Sequence, residues 1–146
     1  MEKYIGTKMI EAEHCHAWKD AGGHKKGDPG YRVRYADGYE SWSPKDVFEA
    51  AYLPVTVNTC LRTTAPSISQ QMVDDFIRET EVITMGDKTT VVRAVLRNGF
   101  EIVESSSCVS VENYDEKMGA EICMEHIKNK VWMLLGFLLQ TAVHGI

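Results

Sequence analysis

The sequence predicts an α+β protein: a small SH3-like β-rich N-terminal module, then a module of helix, β-hairpin and long helix. Three observations predict it. Tyr31-Arg32-Val33-Arg34-Tyr35 alternates apolar with charged residues ahead of an Asp37-Gly38 turn pair. Asn98-Gly99 joins two strand-like runs, Thr89 to Arg97 and Phe100 to Ser107. A continuous helical pattern then runs from about Glu116 to Ala142.

The first module covers residues 1–54. Ile5 to Trp18 contains strand-like stretches, and the Gly/Lys/Pro-rich stretch Ala21 to Gly30 reads as a loop. Tyr39 to Trp42 is the return strand of the first hairpin. Ser43-Pro44-Lys45-Asp46 reads as a helix start, with Ser43 as N-cap, Pro44 in the first turn and Asp46 facing the positive end of the helix dipole. Val47, Phe48 and Ala51 share one face of this helix, and Pro54 stops it.

Residues 55–66 (VTVNTCLRTTAP) lack an amphipathic pattern and read as a linker. The second module, residues 67–146, opens with Ser67 and Gln70 as a capping box. Met72, Val73, Phe76 and Ile77 mark a helix ending near Thr80. A two-residue turn at Asn98-Gly99 sets Val95 opposite Ile102 and Arg93 opposite Glu104. Asn113 or Asp115 is placed to cap the last helix, whose apolar face is marked by Met118, Ile122, His126 or Ile127, Val131, Leu134 and Leu138. A helix of that length extends ~40 Å, more than one small module covers. A homo-oligomer is the expected consequence.

Bulk features narrow the function. Lys+Arg number 16 and Asp+Glu 21, a net charge of −5 that argues against a duplex-gripping protein and makes nucleic acid an unfavoured partner. The opening residues carry no apolar run of a signal peptide. The longest apolar run, Val131 to Leu139, falls well short of the ~20 residues of a membrane span. Four scattered cysteines (Cys15, Cys60, Cys108, Cys123) read as reduced thiols of a cytoplasmic protein without a membrane partner.

No nucleophile elbow, phosphate-cradling loop, dinucleotide fingerprint or zinc-protease motif is present, so the expectation is a protein that is not an enzyme, with no cofactor. His14-Cys15-His16 offers two histidines to one face of a strand but no third or fourth ligand nearby, so no metal is assigned. Binding chemistry is more promising. Arg32 and Arg34 are suited to phosphate, and Tyr39 and Trp42 to stacking on a base. Lys88, Thr89 and Thr90, beside Gly86-Asp87, are suited to ribose or phosphate. A module of some fifty residues also needs large aromatics for its core. Residues 1–54 hold eight of the thirteen aromatics with eight basic and nine acidic residues, whereas residues 55–146 hold eight basic against twelve acidic. The aromatic part is therefore the freer to meet an anionic ligand.

Met85-Gly86-Asp87-Lys88-Thr89-Thr90, Asn98-Gly99-Phe100, Ser107-Cys108-Val109, Asn113-Tyr114-Asp115, Gly119 and the ending Lys130-Val131-Trp132…Leu134-Leu135-Gly136-Phe137-Leu138-Leu139 form an ordered set. Over about residues 67–140 the chain resembles a family of small tailed-phage proteins named after gene 49 of one podophage and gene 66 of another. Gly30 to Phe48 also resembles a module that recurs in small phage proteins. Leu135 departs from the family pattern, which has an acidic residue before the glycine of the last helix. The resemblance implies no catalytic activity. It implies a phage accessory protein of an anti-defence kind, some families of which form oligomers that sequester nucleotide immune signals. Together these readings give a non-catalytic binder of a nucleotide-type signal such as a cyclic ADP-ribose derivative. The alternative is a host-protein-binding inhibitor acting through the apolar C-terminal helix.

Overall fold

A computed structural model describes residues 1–146. The chain divides into two compact units, Met1–Pro54 with Gln140–Ile146, and Val55–Leu139. The class is α+β.

In the first unit, strands β1 (Glu11–His14), β2 (Gly30–Arg34) and β3 (Glu40–Pro44) form an antiparallel sheet in that order. Of the small barrel expected, this sheet and its closing helix α1 (Lys45–Ala51) are present. Alternation on β2 sorts the side chains: Tyr31 and Val33 go to one face, Arg32 and Arg34 to the other. Val33 is buried, and the Tyr31 ring stacks on Phe48 of α1 at 4.1 Å. The strand expected across Ile5 to Trp18 is confined to Glu11–His14, the stretch that finds partners on β2. Ser43 does not cap α1. It pairs with Tyr31 in the ladder, so the chain leaves the sheet only at Pro44, which occupies the cap position with no side-chain bond.

In the second unit, α2 (Gln70–Phe76) is followed at once by β4 (Ile77–Met85), β5 (Thr89–Leu96) and β6 (Glu101–Ser107), an antiparallel sheet in that order. The cap of α2 is Ser69, whose hydroxyl accepts the Met72 N–H at 3.2 Å, and not Ser67. The helix also stops at Phe76, short of Thr80. Thr80, Val82, Ile83 and Thr84 are β-branched, and pairing with β5 takes Ile77–Met85 into a third strand beyond the expected hairpin.

The Asn98-Gly99 turn is real, but its register differs by one residue from expectation. Leu96 N–H donates to Phe100 O and Gly99 N–H to Leu96 O, closing a three-residue loop with Gly99 at φ 86°. Ala94 therefore faces Ile102, and Arg93 faces Val103. A type I turn followed by a left-handed glycine produces this loop as readily as the dipeptide produces a two-residue one. The first hairpin uses the same device: Gly38 has φ 86°, and Asp37, like Asn98, accepts the N–H two residues on.

Helix α3 (Glu116–His144) starts at Asp115, whose carboxylate accepts the Met118 N–H at 3.0 Å. It buries Cys123, Ile127, Val131 and Leu135, a row at spacings of four, and exposes Met118, Ile122 and Leu138. Gly119 selects that row. It stands four residues before Cys123, and a Cβ there would fall 2.8 Å from Thr90 Cβ and closer still to its hydroxyl. Only a glycine lets helix and sheet meet so closely. Each fully buried Ile, Leu or Val contributes ~1.5–3 kcal/mol relative to exposure.

Candidate ligand-binding face

Arg32 and Arg34 stand two residues apart on β2, so their guanidiniums emerge on one face of the first sheet about 6.5 Å apart along the strand. Across from them β1 supplies Glu13 and Glu11 by direct register. Arg32 meets Glu13 at 2.7 Å, and Arg34 pairs with Glu11. Glu11 holds the Arg34 guanidinium above its ordinary pKa, with Glu40 and Glu13 adding to the effect. All four side chains remain about half exposed or more. Such pairs are worth about 0–1 kcal/mol each and exchange readily with another anion. The Glu-x-Glu of β1 against the Arg-x-Arg of β2 is a signal that the sequence holds and that the charge count hides.

Trp42 is the cross-strand neighbour of Arg32. Its indole N–H donates to Cys15 O at 2.7 Å, and its ring lies 4.4 Å from that of His24. A Cβ on Gly30 would fall 2.6 Å from Cε2 of the ring and nearer still to its Cζ2. Trp42 thus shares the arginine face while fastening it to the chain that precedes β2. Tyr39 lies on the other side, where its ring stacks on Tyr35 at 5.9 Å and is 65% exposed. The Lys8 ammonium sits 4.4 Å above Tyr35.

That second side carries a run of rings. His14 packs on Tyr31, Tyr31 on Phe48, and Phe48 on Tyr52, with centroids 4.1–4.8 Å apart. Burial raises the Tyr31 phenol pKa, and its O–H donates to Glu49 at 2.9 Å, which raises it further. Burial and the Tyr35 hydroxyl do the same for Tyr52. No group of three or more His, Cys, Asp or Glu side chains is arranged to hold a metal ion.

In the second unit Lys88 lies in the loop between β4 and β5, its Nζ donating to Val109 O at 3.1 Å. The Thr89 hydroxyl pairs with that of Ser107 at 2.8 Å on the strand edge. Thr90 is wholly buried under Gly119, its hydroxyl 3.0 Å from that of Tyr114. Tyr114 in turn meets Thr84, which donates to Glu116. The geometry thus gathers Arg32, Arg34 and Trp42 on one face. Tyr39 stands apart from them on the other, and Thr90 is committed to the seam between β5 and α3.

Fold and surface together define a small α+β protein with an exchangeable arginine pair and no helix long and apolar enough to cross a membrane. The chain belongs to the phage protein (N4 Gp49/phage Sf6 gene 66) family, whose model matches residues 68–143. No curated protein and no solved structure matches it.

Proposed function

We propose that this phage accessory protein binds and sequesters a small nucleotide-type immune signal, such as a cyclic ADP-ribose derivative, in the host cytoplasm and without catalysis. The observation that supports the reading is the exposed Arg32–Arg34 pair. Both guanidiniums are held by exposed glutamates that a phosphate can displace, because an arginine–phosphate contact is bidentate and charge-assisted. Tyr39 offers an exposed ring on the other side of the same small sheet, and Trp42, half-buried beside Arg32, braces the arginine face. Lys88 and Thr89 form a separate polar group whose remaining donors suit phosphate or ribose. Thr90 lies apart from them, buried under Gly119 with its hydroxyl on Tyr114.

Calorimetry with cyclic ADP-ribose-type ligands and with cyclic dinucleotides tests the proposal. Binding to one set is expected, reduced at least tenfold in Arg32→Ala and Arg34→Ala, with the ligand recovered intact after the protein is denatured. Absence of binding in both sets removes the reading, and recovery of cleaved ligand replaces it with a hydrolase.

One observation favours a second reading. Met133 and Phe137 of α3 are 66% and 75% exposed, a surface that fits a host-protein-binding inhibitor. A stoichiometric host partner that carries no nucleotide and is lost in Phe137→Glu would support that reading over the first.

A further inference from the structure

Three carboxylates share one face of the first sheet with two guanidiniums. Across the β1–β2 ladder Glu13 holds Arg32 at 2.7 Å and Glu11 holds Arg34. Glu40 of β3 stands opposite Arg34 on the other flank and acts on it through charge rather than contact. Three glutamates against two arginines leave these five side chains at −1. An anion arriving from solvent therefore meets a repulsive field until a guanidinium is released.

Glu11 and Glu13 occupy the arginines as a ligand would. They stand two residues apart on β1 and so set two single negative charges at the ~6.5 Å spacing of Arg32 and Arg34. Their side chains are 73 and 62% exposed, and every residue of β1 lies outside the core. Either carboxylate swings into solvent at the loss of one exposed ion pair and no core contact.

Such a face grades anions by how many guanidiniums they take at once. A lone phosphate that replaces Glu13 exchanges one charge-assisted contact for another and gains little, while it gives up its translational freedom. Two linked phosphates displace both glutamates for a single loss of that freedom, because the second exchange is intramolecular once the first has occurred. Long arginine stems let the two forks converge on a pyrophosphate or spread over two separate phosphodiesters.

We infer that Glu11 and Glu13 are the specificity determinants of this face: internal competitors that bar single anions such as inorganic phosphate and admit a ligand carrying two linked phosphates. The inference rests on the reading of the arginine face as an anion site, and it names the class of anion that the site takes.

Side-chain NMR of the Arg32 and Arg34 Nε–H groups, titrated with inorganic phosphate and with inorganic pyrophosphate at constant ionic strength, reads the gate directly. In the wild type pyrophosphate shifts both groups at concentrations where phosphate shifts neither. Glu11→Gln/Glu13→Gln binds phosphate about tenfold more tightly than the wild type, and pyrophosphate loses most of its advantage. Glutamine keeps the size of glutamate, so unchanged backbone resonances of β1 accompany the gain. Glu40→Gln removes the same charge beside Arg34 but frees no guanidinium, and it gains far less than Glu11→Gln. Equal phosphate binding by the wild type and the double variant overturns the inference. So does a wild type that pyrophosphate leaves unshifted, or a gain in Glu40→Gln that matches Glu11→Gln and reduces the effect to net charge. The nucleotide reading fails separately: a wild type that takes pyrophosphate but no cyclic nucleotide loses that reading and keeps the gate. One that takes a cyclic nucleotide while phosphate binding stays equal in every variant keeps the reading and loses the gate.

Discussion

Gly119 and Gly136 lie in the same helix, and the structure assigns opposite signs to the same substitution at the two positions. At Gly119 an added Cβ would lie 2.8 Å from Thr90 Cβ and nearer still to the hydroxyl that bonds Tyr114. Thr90 is fully buried and cannot swing away. Overpacking of this kind costs ~1–3 kcal/mol. Displacing the Thr90 hydroxyl costs a further ~0.5–1.5 kcal/mol. Better helix propensity of alanine returns up to ~1 kcal/mol. Gly119→Ala is therefore expected to destabilise by about 1–3 kcal/mol, a fall in Tm of roughly 3–10 °C for a chain of this size. At Gly136 a Cβ would meet nothing within 4 Å, so only the propensity gain remains and Gly136→Ala is expected to raise stability by ~0.5–1 kcal/mol. Thermal and urea unfolding at one protein concentration decide the matter. If the two variants shift the same way, or Gly119→Ala leaves Tm unchanged, then α3 does not cross β5 at Thr90 and the choice of buried row is wrong.

Other outcomes follow from single side chains. Trp42→Ala is expected to lose ~2–4 kcal/mol in urea unfolding, since it removes a large half-buried ring and strands the Cys15 carbonyl; a neutral result would make Trp42 a free platform. Burial, reinforced by Glu104, pushes the Cys123 thiol above its ordinary 9.0, so this thiol stays neutral and unreactive while exposed Cys60 reacts. Because the folded value is raised, its contribution to stability is full below pH 9 and lost as pH rises through the higher value. Equal labelling of Cys60 and Cys123 by a maleimide in the native protein would refute this. Lys128 holds the Asp74 carboxyl below its ordinary 3.8, with Gln70 helping. That contribution is present above pH 4 and lost as pH falls through the depressed value. Asp74→Asn should accordingly flatten the acid limb of the stability profile, by less than about 1 kcal/mol because the pair is exposed.

How much of this was legible in the sequence depended on which force decided each element. Both hairpins, the long helix and its Asp115 cap are local matters: turn chemistry, apolar period and a capping carboxylate lie within a few residues of one another. Register is not local. Asn98-Gly99 permits either a two- or a three-residue loop, and the choice decides whether Ile102 shares a face with Val95 or with Ala94. The same holds for β4. Residues 77–85 carry charges that suit a helix and β-branched residues that suit a strand, and only the eight-position ladder with β5 settles it. The buried row of α3 is fixed by the close approach at Gly119, a contact twenty-nine positions away from Thr90 in the chain.

The binding residues divide by the same rule. Arg32 and Arg34 were legible as surface residues because strand alternation puts them opposite Val33, and that inference needs no tertiary knowledge. Their partners were also written in the chain, as Glu11-Ala12-Glu13, yet pairing them required the β1–β2 register. Tyr39 and Trp42 could not be told apart by type. Trp42 is held inward by Gly30 and the Cys15 carbonyl, while Tyr39 sits at a turn that leaves its ring in water. Thr90 illustrates the limit most clearly, since Thr89 and Thr90 are identical in type and adjacent. A strand sends them to opposite faces, and the face that α3 covers takes Thr90 out of solvent while leaving Thr89 beside Ser107. One residue of register thus separates a binding candidate from a core hydroxyl. For this protein the arginine face, whose exposure follows from alternation alone, is for that reason the firmer place to look for ligand.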